Sequence, residues 1–132
     1  MGKSGSGATK TRSQADLEMV ARRVKEIEKE EWAKIHGGLC HSFPVLVRTC
    51  GVAQAVVYHE SKAACEGLRA KAHARVVEDF DKLLPGFDLA GAGLGEYMRA
   101  TRRALAAWAF YKRFAESILN AKAQDADTAK DS

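Results

Sequence analysis

The stretch from Leu94 to Leu119 constrains this chain most, because it reads as one long helix with two opposed faces. At about 100° per residue, Tyr97, Thr101, Ala104, Leu105, Trp108, Tyr111, Ala115, Ile118 and Leu119 gather on one side. Arg99, Arg102, Arg103 and Arg113 fall within an arc of about 100° on the other, with Phe110 among them. The apolar side is a core face, with Trp108 at its centre as an anchor. The opposite side is a row of planar guanidiniums with an aromatic in it, suited to phosphates and unpaired bases. A solvated cationic face is the plainer reading of the same row.

A chain of 132 residues, 46% of them hydrophobic, is long enough for one domain with a core that needs neither disulfides nor metals. No apolar run nears the roughly 18 residues of a membrane span, and no secretory signal is recognised, so a cytoplasmic protein is expected. Cys40, Cys50 and Cys65 are odd in number and lack a C-x-x-C spacing, which predicts free, mostly buried thiols. The net charge is +4, and positive charge concentrates in residues 1–12 and 94–119, each carrying +3. That asymmetry points towards an anionic partner.

Residues 1–10 form a flexible basic arm rich in Gly, Ser and Lys. Met1–Ser6 formally fits a myristoylation pattern, but no second membrane signal follows, and Gly2-Lys3-Ser4 lacks the strand that a phosphate loop requires. Thr11 and Gln14 have capping-box spacing at the start of a first helix. Leu17, Val20, Val24, Ile27 and Ile35 then make an apolar stripe, with Met19 pointing away, and Gly37-Gly38 closes that helix. Residues 42–60 admit a short strand at Phe43–Arg48 or a helix opening at Ser42 before Pro44; the lack of a second strand favours helix. Cys65, Leu68, Ala72, Val76, Phe80 and Leu83 form another stripe that Pro85-Gly86 stops. The glycines between 86 and 95 are a flexible connection, and residues 120–132 a polar tail that frays.

Catalytic chemistry finds little support. His36, Cys40, His41 and Cys50 match no zinc spacing, Cys50 and Cys65 lack a nucleophile signature, and carboxylate pairs such as Glu30 and Glu31 are helix-surface charges. No enzyme, metal, cofactor or small-molecule substrate is expected.

Three segments together carry a resemblance. Thr11-Arg12-Ser13-Gln14 opens the first helix. Phe43-Pro44, Arg48-Thr49-Cys50-Gly51-Val52-Ala53-Gln54 and Tyr58 mark the middle. Tyr97-Met98-Arg99-Ala100-Thr101-Arg102-Arg103-Ala104-Leu105 and Lys112-Arg113-Phe114-Ala115 close it. Over residues 11–119 the chain resembles the small helical subunit of the type III-B CRISPR Cmr complex, the fifth subunit family of that RNA-guided, RNA-targeting effector of antiviral defence. Cys50 stands where a polar residue such as Asn is usual.

The resemblance implies an all-α fold, a single compact domain of about five or six helices, and so a helical 42–60. It implies a non-catalytic subunit that stacks with copies of itself as an inner filament beside scaffold and backbone subunits. There it helps hold guide and target RNA. The RNA contacts are then expected at Arg99, Arg102, Arg103 and Arg113, with Arg12 and Arg48 as further candidates, and Phe110 is a partner contact. A scaffold whose arginines grip acidic protein surfaces would use the same residues, because Arg suits carboxylates and phosphates alike. An independent single-strand binder would usually show several stacking aromatics, whereas Phe110 is the one clear aromatic off the core face.

Overall fold

The computed structural model describes residues 9–128, so the greater part of the N-terminal arm and residues 129–132 lie outside the described residues. Five helices follow one another: α1 Arg12–Glu26, α2 Ala33–Cys50, α3 Val52–Ala63, α4 Leu68–Leu83 and α5 Leu94–Ser117. A single turn, α6 Asp125–Thr128, comes last. The fold is all-α, and residues 42–60 are helical apart from the Gly51 joint. The central element is α2, which packs against α3, α4, α5 and α6, while α1 lies along α5 and α3 pairs with α4.

The start of α1 follows its local chemistry. Gln14 N–H donates to Thr11 Oγ1 at 3.1 Å, and Thr11 N–H donates back to Gln14 Oε1 at 2.9 Å, the reciprocal pairing of a capping box. The stripe beyond it does not continue as one rod to Gly38. The chain leaves the helix after Glu26 and resumes at Ala33. Glu26, Glu28, Glu30 and Glu31 crowd this break. Glu26 and Glu30 would repel at i,i+4 spacing in a continued helix, and the cluster opposes the dipole at the end of α1 yet favours the start of α2. The new direction exposes Leu17 at 37% and half-buries Met19 against the core, the reverse of the simple stripe.

Gly37 and Gly38 lie inside α2, and their function is close approach. A Cβ on Gly37 would sit 2.4 Å from Ala121 Cβ, and one on Gly38 would sit 2.3 Å from Ala126 N. Ala121 and Ala126 are accordingly buried, so residues 121–126 pack on α2 where a fraying tail was expected. Pro44 is likewise an interior residue of α2, with little exposure. Gly51, at φ +91°, separates α2 from α3, and Tyr97 Oη accepts the Ala53 N–H at 3.1 Å near the α3 start. Pro85-Gly86 ends α4, with Gly86 at φ +68°.

The core centres on Trp108 and Tyr111 of α5, both fully buried as that helix's apolar face required. Around them stand Val20, Val24, Phe43, Val52, Val76 and Leu83. Of the cysteines, Cys40 alone is buried; Cys50 and Cys65 are exposed and free, so burial of most thiols does not hold. Cys50 ends α2 and Cys65 follows α3, outside the faces that pack.

Candidate nucleic-acid interface

The inward face of α5 consists of Ala100, Ala104, Ala107, Trp108, Tyr111 and Ala115. It is centred nearer Ala107 than Leu105, which is only half-buried. Small residues let α1 and α2 approach from either flank. The rotation decides which arginines face outward. Arg99, Arg102 and Arg113 remain exposed and pair with no carboxylate among the described residues.

Arg103 differs. It lies on the flank towards α1, 27% exposed, where its Nη2 meets Asp16 Oδ1 at 2.9 Å and its Nε meets Asp16 Oδ2 at 3.2 Å. This bidentate grip makes Arg103 a clamp between α1 and α5, not a free cation as its place in the row implied. Phe110 is also displaced from the outward arc. It is half-buried and packs on the core cluster.

Two depressions flank α5. On one side Arg12, Ser13 and Asp16 of α1 face Arg102, Arg103, Ala106 and Phe110 across a groove of about 310 Å³. On the other, His41, Pro44, Val45 and Arg48 of α2 face Leu105, Trp108, Ala109 and Lys112 across a smaller one of about 160 Å³. Arg12 and Arg48 thus lie on opposite flanks of the Arg102–Arg113 ridge. Arg12 joins the ridge through the first groove, and Arg48 pairs spatially with Lys112, a cation missing from the expected set. Both Arg48 and Lys112 belong to the segments singled out in the sequence, but only the α2–α5 packing puts them together. A further depression, about 770 Å³ on the outside of α1, mixes Lys10, Arg22 and Lys25 with Glu18 and Glu26. Its opposed charges leave no preference for an anion.

A second polar cluster, invisible in the sequence, is sealed inside the bundle. Asp79 of α4 is wholly buried and takes Arg23 Nε of α1 at 2.7 Å and His36 Nε2 of α2 at 2.7 Å. Arg75 Nε lies 3.6 Å from the same carboxylate. Burial, the largest single influence, works to lower Arg23, but the charge and hydrogen bond of Asp79 together with Tyr111 outweigh it, and the guanidinium is held more firmly protonated. Cys40 Sγ is 3.7 Å from His36 Nδ1. The Cys–His–Asp order resembles a nucleophile relay, yet burial, then the Asp79 charge, push the Cys40 thiol well up. A protonated, inaccessible thiol is a packing group. His41 and Cys50 lie elsewhere, on the α2 groove and at the exposed α2 end.

Fold and surface therefore define a small all-α domain whose longest helix carries an unpaired cationic ridge. The family model described as CRISPR-associated protein (Cas_Cmr5) matches residues 12–118. The relative named CRISPR system Cmr subunit Cmr5, from Thermus thermophilus, is 31% identical over 117 residues, covering 83% of this chain and 97% of the relative. The X-ray crystal structure of a CRISPR-associated Cmr5 family protein from Thermus thermophilus superposes with a TM-score of 0.72 at 30% identity, covering 84% of this chain and 99% of that one. The chain belongs to the Cmr5 family of CRISPR-associated proteins. Among the described residues, no helix is long and apolar enough to cross a membrane.

Proposed function

We propose that this protein is the non-catalytic small subunit of a cytoplasmic type III-B Cmr complex, in which copies stack as an inner filament beside scaffold and backbone subunits. In that place the α5 ridge holds the guide–target RNA through its phosphates. One observation carries the RNA reading: Arg12, Arg99, Arg102 and Arg113 are exposed cations with no carboxylate partner among the described residues, whereas Arg103 beside them is spent on Asp16. Arg48 and Lys112 extend the same charge across the other flank. Guide pairing reads the target sequence, so backbone contacts suffice for this subunit.

The test replaces Arg12, Arg99, Arg102 and Arg113 by Gln and measures target RNA affinity of assembled complexes at several salt concentrations. Four single-strand phosphate contacts carry a slope of about −0.7 each, about −2.8 in all. The variant should flatten the slope by that amount and weaken all targets alike, with stability within about ±0.5 kcal/mol of the parent. Arg103→Gln should instead cost about 1–3 kcal/mol of stability, because Asp16 loses its partner at a largely buried site. An unchanged slope, with the four-Gln subunit failing to enter the complex, means that the arginines grip protein.

A further inference from the structure

We propose that the groove between α1 and α5 takes a single unpaired nucleotide, its base against Phe110 and its phosphate on Arg12 and Arg102. This deepens the reading of the α5 face as an RNA surface and rests on it. The space, about 310 Å³, is at the lower end of what holds a small ligand. Its wall is mixed in a specific way. Phe110 and Ala106 supply an apolar surface, and Phe110 is itself packed on the core, so its ring is held in place before anything binds.

The charge of the groove follows from one ion pair. Asp16 would oppose an anion, but Arg103 neutralises it with two hydrogen bonds. Arg12 and Arg102 line the same groove without a carboxylate partner among the described residues. An apolar aromatic wall in one groove with two free guanidiniums matches a base joined to a phosphate. A base inside a duplex is stacked on both faces and cannot reach such a wall, which selects an unpaired nucleotide. A carboxylate from a neighbouring protein would satisfy the arginines but leave Phe110 uncovered.

The experiment uses the full-length chain and fluorescence anisotropy at fixed salt. A labelled oligouridylate of six nucleotides is compared with an abasic ribose–phosphate strand of the same length and with a labelled hexaglutamate peptide. Stacking predicts that the oligouridylate binds about 5- to 150-fold more tightly than the abasic strand. Phe110→Leu, which keeps apolar volume for the core but has no ring, should erase that ratio and leave the salt slope unchanged, while Phe110→Trp preserves it. Thermal melting confirms that both variants fold. Equal affinity for the two RNA strands overturns the nucleotide groove but keeps a salt-dependent hold on RNA, so the α5 reading stands. No affinity for either strand removes the groove, and with an unchanged slope in the four-Gln complexes it removes the RNA reading too. Tighter binding of hexaglutamate overturns the proposal in favour of a protein occupant.

Discussion

His59 and His73 show how much a single pair of side chains depends on its burial. Their Nδ1 atoms stand 2.8 Å apart between α3 and α4, and both rings are buried. One nitrogen must donate and the other accept, so the two rings cannot both be protonated. His59 Nε2 has no partner. The cheaper tautomer has His59 donating from Nδ1, so that this orphan is a bare acceptor and not a buried N–H. Burial, then the charges of His73 and His36, push His59 down to about 3. Burial, then the charges of Arg69 and Lys62, push His73 down to about 4. In the unfolded chain both titrate near 6.5. Because the folded values are depressed, the pair's contribution is complete above pH 6.5 and is lost as pH falls towards 4 and then 3. Each imidazole should steepen the loss by up to about 1.4 kcal/mol per pH unit within its window. Denaturant titrations across pH 7 to 4 check this: His59→Gln/His73→Gln should show a flatter acid limb than the parent. A limb of the same steepness would place the acid sensitivity elsewhere.

At the level of elements, α2 contradicts its own composition. Glycine costs about 1 kcal/mol in a helix interior, and proline about 3 kcal/mol, yet Gly37, Gly38 and Pro44 all lie within this helix. Tertiary packing outweighs propensity, since α2 is surrounded by four partners, with Ala121 against Gly37 and Ala126 of α6 against Gly38. Gly38→Ala is the informative change. In a free helix it would help; here the new Cβ meets the backbone of Ala126, and overpacking costs about 1–3 kcal/mol. The expected result is release of residues 121–128 before the bundle opens, seen as faster tryptic cleavage after exposed Lys122 with little change in the main melting transition. Unchanged cleavage with a higher melting temperature would show that the contact with Ala126 is not limiting. The same logic applies to the break between α1 and α2, which the apolar stripe does not mark. Ile27 and Ile35 are eight residues apart and keep helical phase, and both are buried. Both belong to the same core cluster, so their spacing carries no sign of the turn between them.

Across the whole molecule an aromatic chain ties the helices together. Trp32 meets His36, His36 meets Tyr111, Tyr111 stacks beside Trp108 at 4.6 Å, Trp108 beside Phe43 at 4.4 Å, and Phe43 reaches His59 and thence His73. Trp108 is the middle link and is fully buried. Trp108→Ala should cost about 3–5 kcal/mol, a large share of the 5–15 kcal/mol that a domain commonly has. Circular dichroism should show loss of the cooperative thermal transition or a much lower midpoint. Loss of RNA association at an unchanged melting temperature would instead make Trp108 a binding residue. The charge pattern belongs to this scale too. Asp79 draws Arg23 and Arg75 inward, Asp16 draws Arg103, and the remaining arginines of α5 define the outward face.

The sequence by itself determined the helical class, the capping box at Thr11, the stop at Pro85-Gly86 and the burial of Trp108. Each rests on interactions within a turn or two of helix, or on a period that any helix must share. It determined the cationic character of α5 as well, and the segments that mark the family. The tertiary structure alone decided the rest. Where α1 ends, why two glycines and a proline suit a helix interior, and which arginines are free all depend on contacts between residues far apart in the chain. Arg103 and Asp16 are separated by 87 positions, Arg23 and Asp79 by 56. A periodicity fixes a helix's faces only to within the rotation its neighbours impose. On α5 that small rotation separates an internal clamp from a surface open to a ligand.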